Sequence, residues 1–199
     1  MASPHYHPDM DIILHPIGWV YSSENASEKA SREDYWGDIV SEIRLDESNF
    51  TSEALDGLTE FSHVEVLFYL HGVSDASVVT GRRHPRNNPN WPQVGIFAQR
   101  GKARPNRIAA TICRLHSVEG LTLKVQALDA FGGSPILDIK PVFAEFTPDR
   151  AAIRQPKWAS DLMADYFAGE CKSRCPRCLV CQELTVSSTI FVEKTTAFE

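Results

Sequence analysis

Two polar clusters lie between positions 94 and 140, and each follows a run of apolar residues typical of a strand. The first cluster is Arg100, Lys102, Arg104, Asn106 and Arg107, and the second is Asp129, Gly132, Gly133, Asp138 and Lys140. Strands hold the residues at their ends rigidly, and binding sites are usually built on the loops found there. Guanidinium groups suit carboxylates and phosphates, whereas a carboxylate suits hydroxyls, ammonium groups and proton transfer. The two clusters are therefore the first candidates for a binding site.

Bulk composition limits the kind of protein that carries these clusters. The chain has 199 residues, 43% of them apolar, and a formal net charge of -6. A chain of this length and apolar content predicts one domain with a tail. Because the chain is acidic overall, any contact with nucleic acid must come from a local basic patch. No apolar run of about 18 residues occurs, and the start MASPHYHPDMD lacks the apolar core of a signal peptide. We therefore expect no membrane segment and a cytoplasmic location.

The elements that position the clusters are mostly strands. Segments rich in β-branched and aromatic residues, several of them alternating, cover residues 12–22, 39–45, 64–70, 94–99, 108–115, 121–127 and 136–140. Glu119-Gly120 reads as the turn of a hairpin. Convincing helical periodicity follows Pro156, where Trp158, Leu162, Met163 and Tyr166 share a face. Short strands without intervening helices predict a mostly β fold: a small closed β-barrel of about seven strands, with a C-terminal helix and a cysteine-rich tail.

Four sequence motifs point to a known family. They are GIFAQR at 95–100 with Arg104-Pro-Asn106, LDAFGGSPILDIKP at 128–141, GLTEFSHVEVLFYLH at 57–71, and the pair Ile17-Gly18. Together they resemble the TrmO (TsaA-like) family of S-adenosylmethionine-dependent tRNA methyltransferases. The chain departs from that family between positions 23 and 39, where many members carry Pro-Arg-Gln-Pro-Gly and this chain has Arg-Glu-Asp-Tyr-Trp-Gly at 32–37. The resemblance implies a small β-barrel, unlike the doubly wound fold of most methyltransferases.

The extent of the resemblance divides the chain into three expected parts. These are a flexible N-terminal arm over residues 1–11, a TrmO-like barrel domain over residues 12–148, and an extension over residues 149–199 with the helix and the cysteines. The resemblance also implies a homodimer.

The resemblance implies S-adenosylmethionine as the cofactor and assigns residues to its binding. Those residues are Tyr35, Trp36, Gly37, His71, Gly72, Arg100, Ala110, Gln126, Ala127, Leu128 and Asp129. Arg100 would pair with the carboxylate of the cofactor. The backbone amides of Ala127 and Leu128 would contact the adenine edge.

Family members methylate N6 of threonylcarbamoyladenosine, next to the anticodon of tRNA. The lone pair of that nitrogen is delocalised into a ureido group, so the enzyme must align the nitrogen with the methyl donor and help to remove its proton. Asp129 is the first candidate for this catalytic role and Asp138 the second, with His71 and Tyr35 as alternatives. Asp138 also has a structural alternative, an ion pair with Lys140. Two other functions stay open: methylation of another RNA base or a small metabolite, and non-catalytic binding of the cofactor or RNA.

Cationic residues concentrate in two neighbouring loops of this otherwise acidic chain. They are Arg82, Arg83, Arg86, Lys102, Arg104 and Arg107. Such a patch suits the phosphates of a folded RNA, so we expect tRNA as the partner. The alternative is that some of these groups balance nearby acidic residues.

Four of the five cysteines lie within eleven residues near the C-terminus: Cys171, Cys175, Cys178 and Cys181. Four thiolates are the number that a tetrahedral zinc site needs, and C-x2-C is a usual zinc spacing. A structural zinc ion is the first prediction, and an iron–sulfur cluster or unliganded thiols are the alternatives. Cys113 lies alone in a strand-like run and is expected in the core.

Overall fold

The computed structural model describes residues 11–22 and 36–167, and a closed antiparallel β-barrel forms its centre. The strands in chain order are β1 (Gly18–Ser22), β2 (Val40–Leu45), β3 (His63–Tyr69), β4 (Arg82–Arg83), β5 (Val94–Gly95), β6 (Ile108–Glu119), β7 (Thr122–Gln126) and β8 (Pro135–Pro141). Around the barrel the order is β1-β2-β7-β6-β3-β8, and β8 pairs with β1 to close it. The predicted fold class is therefore confirmed.

The number of barrel strands is six rather than about seven. The segment predicted as a strand over 94–99 contributes only the two residues of β5, which pair with β4 outside the barrel. It then turns through a short 3-10 helix, Ile96–Ala98. The Gln99 side-chain nitrogen holds this turn, because it donates to the carbonyl oxygens of Arg83 and Val94 at 3.1 and 2.9 Å.

Alternate residues of the strands fill the barrel, because neighbours along a strand point to opposite faces. On β3 the inward residues Val64, Val66 and Phe68 are at most 1% exposed. Cys113 on β6 is also 1% exposed, as predicted for a core residue. Burial raises the pKa of its thiol to about 12, because the charged thiolate loses its solvent.

One end of the barrel gathers three connections, and we call this end the site rim. Here β3 ends where β6 begins, with Tyr69 opposite Ile108. On the other side β7 ends where β2 begins, with Gln126 opposite Val40. Segments 36–39, 70–107 and 127–134 therefore all meet the barrel at the site rim. The segment 70–107 contains every residue of the predicted basic patch.

The site rim is also where the backbone is most unusual. The described non-glycine residues with positive φ are Arg86 (48°), Asn87 (57°), Arg107 (52°) and Ala127 (67°), and all belong to or border the rim connections. At the opposite end Gly120, with φ of 59°, forms the predicted turn between β6 and β7. Glycine adopts such angles without steric cost, whereas other residues need support from their surroundings.

A single α-helix among the described residues, α1 (Lys157–Met163), follows the barrel as predicted. A further turn continues it, with the Tyr166 amide donating to the Met163 carbonyl at 3.3 Å. The residues predicted to share a face, Trp158, Leu162, Met163 and Tyr166, are all half-buried. Within the described ranges no helix is long and apolar enough to cross a membrane.

Candidate functional site

Asp129, the first catalytic candidate, lies at the site rim three residues after β7. It is half-buried, and the Tyr166 hydroxyl donates a hydrogen bond to its Oδ2 atom. The donor comes from the segment after α1, which is part of the extension outside the family resemblance. The helical periodicity after Pro156 puts Tyr166 on an apolar helix face, and nothing in the sequence pattern pairs it with Asp129.

The segment before β2 reaches the same place. Trp36 is 4% exposed, and its amide donates to the Tyr166 carbonyl at 3.0 Å. Its ring lies 5.6 Å from the ring of Phe131, which is 42% exposed. Gln126 fixes the same segment to β7, because its side-chain nitrogen donates to the Gly37 carbonyl at 2.8 Å. Three of the residues assigned to the cofactor, Trp36, Gly37 and Gln126, are thus brought together.

The end of β3 contributes His71 and Gly72, which are both exposed. The His71 Nδ1 atom lies 3.3 Å from the hydroxyl oxygen of Ser134, a residue that is 3% exposed. Gly133 lies near the other ring nitrogen of His71, because a Cβ atom built on Gly133 would lie 3.9 Å from the His71 Nε2 atom. His71 therefore sits against the 127–134 segment that carries Asp129.

Ala127 and Leu128 support the turn between β7 and Asp129. The Ala127 amide donates to the Ile39 carbonyl at 2.9 Å, so it is already used and does not face a ligand as expected. The left-handed conformation of Ala127 turns the chain so that the Leu128 side chain is fully buried. Burial of Leu128 anchors the loop on the barrel core, which fixes the position of the next residue, Asp129.

Arg100 and Ala110 meet at the start of β6. The Arg100 guanidinium donates to the Ala110 carbonyl at 2.6 Å. Arg100 is exposed, and a guanidinium has five N–H donors, so this bond leaves others to bind an anion.

Asp138, the second catalytic candidate, lies within β8 rather than at its end. Its cross-strand partner is Leu67, a residue between the inward-facing Val66 and Phe68. Asp138 therefore points to the outside of the barrel, where it forms an ion pair with Lys140. The structural alternative for Asp138 is observed.

The predicted basic patch divides into engaged and unengaged groups. Arg107 bonds to the Val73 carbonyl at 2.8 Å and pairs with Asp75 at 2.9 Å, while Arg104 donates to the Gln99 carbonyl at 2.6 Å. These contacts hold the long 70–107 connection together, and the pair of Arg107 with Asp75 is a balance of the expected alternative kind.

The other members of the patch are Arg82, Arg86 and Lys102, which are exposed, and Arg83, which is half-buried. Arg83 donates to the side chain of Asn87 at 2.8 Å, and Arg86 lies over the Tyr166 ring. The side chains of Arg82 and Lys102 are exposed and have no polar partner within residues 11–22 and 36–167. They are the cations most available to a polyanion.

Several predicted residues lie outside the described part of the chain. They are Tyr35 and the four cysteines of the predicted metal site, Cys171, Cys175, Cys178 and Cys181. Among the residues that the structure does describe, no group of His, Cys, Asp and Glu is arranged to hold a metal ion.

An open cleft of about 470 Å³ adjoins the 127–134 segment and is lined by Trp19, Val20, Tyr21, Gly132 and Gly133. Its volume is within the range of sites for small molecules and cofactors, roughly 300–1,000 Å³. The site rim carries aromatic faces, a carboxylate, an imidazole and a guanidinium group. These groups suit the adenine, the ribose hydroxyls and the amino-acid end of S-adenosylmethionine. Phe131, Ser134 and Tyr166 are the contributors that sequence analysis missed.

Comparisons with known proteins agree with this fold. Residues 24–147 match the model of the tRNA-methyltransferase O N-terminal domain. A human tRNA (adenine(37)-N6)-methyltransferase is 31% identical over 139 residues, which are 68% of this chain and 31% of that protein. A probable S-adenosyl-L-methionine-binding protein from Methanothermobacter thermautotrophicus is 35% identical over 138 residues, which are 69% of this chain and 94% of that protein.

A solved structure shows the same likeness. The crystal structure of TrmO from Pseudomonas aeruginosa is 25% identical with a TM-score of 0.53, and the match covers 79% of this chain and 77% of that one. The present chain spans about a third of the length of the human and mouse relatives that it matches. The family model covers more than half of the chain, and the matched residues include most of the closed barrel and its rim. This chain therefore belongs to the tRNA-methyltransferase O family.

Proposed function

We propose that this chain is an S-adenosylmethionine-dependent methyltransferase that acts on tRNA. The observation that carries the proposal is the meeting of three segments at the site rim. Residues 36–37, 71–72 and 126–129, which the family resemblance assigns to the cofactor, come from distant parts of the sequence. The Gln126 side chain donates to the Gly37 carbonyl, and the His71 ring contacts Ser134, which follows Asp129 in the same connection. The names of relatives support it, since the human one is a tRNA (adenine(37)-N6)-methyltransferase.

The residues at the site rim suit the binding of the cofactor. The exposed Phe131 ring, backed by Trp36, offers an aromatic face for the adenine or the sulfonium. The free N–H groups of Arg100 suit the carboxylate end. S-adenosylmethionine, when bound, supplies an electrophilic methyl group and leaves as the neutral thioether.

Asp129 is the group that we assign to the acceptor. The incoming nitrogen must lose its proton as the new carbon–nitrogen bond forms and the carbon–sulfur bond breaks. A carboxylate within hydrogen-bond reach orients the N–H group and accepts the proton, directly or through water. Its position on a loop anchored by the buried Leu128 keeps the carboxylate in place, which reduces the entropy cost of alignment.

We further propose N6 of threonylcarbamoyladenosine, next to the anticodon, as the methyl acceptor. The 70–107 connection, which carries the basic residues, begins and ends at the same rim as Asp129, and its Arg86 lies over the Tyr166 ring. Phosphates bound by Arg82 and Lys102 would bring the anticodon loop toward the site. A cytoplasmic location and a homodimer belong to the same proposal, and sedimentation of the purified chain tests the dimer.

A binding module without catalysis is the second candidate. It is favoured by the relative from Methanothermobacter thermautotrophicus, which is called a probable S-adenosyl-L-methionine-binding protein and is matched over 94% of its length. The different sequence at 32–37, where many family members have Pro-Arg-Gln-Pro-Gly, also favours it. Such a module would bind the cofactor as tightly as an enzyme and transfer no methyl group.

The experiment that separates these functions uses the purified full chain, methyl-labelled S-adenosylmethionine and tRNA from cells that lack the chain. Labelled nucleosides are identified by mass spectrometry after digestion. The proposal expects label on N6 of threonylcarbamoyladenosine and a loss of about 100-fold in Asp129→Asn, with cofactor affinity retained. Label on another nucleoside would identify a different methyl acceptor. Calorimetric binding of the cofactor without any labelled nucleoside would establish the binding module.

A further inference from the structure

The turn after α1 fastens Tyr166 to the barrel through its backbone. The Tyr166 carbonyl accepts from the Trp36 amide at 3.0 Å, and its ring packs on the buried pair Trp36 and Ile39. These contacts do not involve the hydroxyl. The position of the ring is therefore set by the extension and the 36–39 segment, and the hydroxyl is held at a fixed place.

The hydroxyl of Tyr166 reaches the carboxylate to which we assign the acceptor. It donates to the Oδ2 atom of Asp129, which comes 37 residues earlier in the chain. A carboxylate on a loop rotates about its side-chain torsions unless a partner holds it. The hydrogen bond from Tyr166 restricts the rotation of the Asp129 carboxylate, so that the carboxylate faces in a defined direction.

The ring of Tyr166 has a further neighbour in the basic patch. The guanidinium carbon of Arg86 lies 5.7 Å from the ring centroid, within the range of a cation–π contact. Arg86 lies in the connection between β4 and β5 and has a left-handed backbone conformation. Tyr166 thus contacts both the catalytic candidate and a residue of the predicted RNA surface.

We propose that Tyr166 is a positioning residue for methyl transfer: its hydroxyl orients the Asp129 carboxylate toward the acceptor nitrogen, and its ring holds Arg86 beside the site. The inference rests on the proposed function. It assigns a role to the extension that follows the barrel, and Tyr166 takes no part in bond formation itself.

Two substitutions separate the hydroxyl from the ring. Tyr166→Phe keeps the ring, the backbone contact and the Arg86 neighbour, and removes the hydroxyl that donates to Asp129. We expect kcat to fall about tenfold, as for the loss of one hydrogen bond to a charged group, with the KM for tRNA and the Kd for the cofactor within about twofold. Arg86→Ala is expected to raise the KM for tRNA, because it removes a cation from the predicted RNA surface.

The matched control is Lys157→Gln. It removes an exposed ion pair with Asp161, at 2.8 Å, from the same helix and touches neither Asp129 nor Arg86. Its kinetics and melting temperature are expected to match those of the wild type.

A double-mutant cycle shows whether Tyr166 acts through Asp129. In the Asp129→Asn background, Tyr166→Phe is expected to cause no further loss of kcat. Three results would each overturn the inference: an equal tenfold loss of kcat in both backgrounds, an unchanged kcat in the single variant, or faster turnover from an opened site. If the wild type binds the cofactor but labels no tRNA, the proposed function fails and this inference with it; an active wild type with an equally active Tyr166→Phe refutes the inference alone.

Discussion

Gly18 lies where the barrel backbone leaves no space for a side chain. It opens β1 and pairs with Leu45 on β2 and Ile136 on β8. A Cβ atom on Gly18 would lie 2.3 Å from the Arg44 carbonyl oxygen and 2.9 Å from the Leu45 Cα. Both obstacles are backbone atoms of β2, so no side-chain rotation relieves them. We expect Gly18→Ala to force β1 away from β2.

The expected cost follows from this geometry. A Cβ contact closer than about 3.0 Å is essentially never tolerated, so the two strands must separate by about 0.7 Å. Overpacking of this kind costs about 1–3 kcal/mol, and a backbone obstacle places Gly18→Ala near the upper limit. For a chain of this size, about 3 kcal/mol lowers the melting temperature by about 6–12 °C.

Thermal unfolding of the full chain, followed by far-ultraviolet circular dichroism, measures this effect. Gly95→Ala on β5 is the matched control, because a Cβ there meets nothing within 4 Å. We expect the control to melt within about 2 °C of the wild type, or above it if the lower entropy of its unfolded chain dominates. A Gly18→Ala variant that melts with the control would refute the close approach of β1 and β2.

Three further predictions test the surface, the core and the tail. Arg82→Ala with Lys102→Ala should lower the slope of tRNA affinity against salt by about 1.5 in log–log form, for two lost phosphate contacts; an unchanged slope moves the RNA surface elsewhere. Cys113 should resist alkylation at pH 8 until the chain unfolds, because its pKa is raised to about 12; rapid native labelling would contradict its burial. Elemental analysis should find about one zinc ion per chain, bound by Cys171, Cys175, Cys178 and Cys181; a metal content unaffected by Cys→Ser replacement would contradict this.

Most of the barrel follows from periodicity. Alternation along Leu121 to Gln126 predicts an amphipathic strand, and β7 is found over Thr122–Gln126. The segment 94–99 shows the limit of the same reasoning. Its β-branched and aromatic content favours a strand, but the contacts of Gln99 with Arg83 and Val94 fold it into a turn. The contact with Arg83 joins residues 16 positions apart, so composition alone does not indicate it.

The candidate site was predictable only where a motif marks it. His71, Gln126 and Asp129 lie in segments that resemble the family, and the structure brings these segments to one rim. Tyr166 lies beyond the resemblance, and its helical period predicts burial rather than a polar contact. Its hydrogen bond with Asp129 depends on where the extension packs, which is a property of the folded molecule.

The four left-handed residues at the site rim have a consequence for the proposed binding of RNA. Each non-glycine residue in this conformation costs about 1–2 kcal/mol, which its neighbours must offset in the folded state. The loops around Arg86, Asn87, Arg107 and Ala127 are therefore committed to one shape before any ligand arrives. A rigid receptor loses little conformational entropy when it binds. Selection among RNA loops would then depend on which loop already has the complementary shape, rather than on how well the protein adapts to each one.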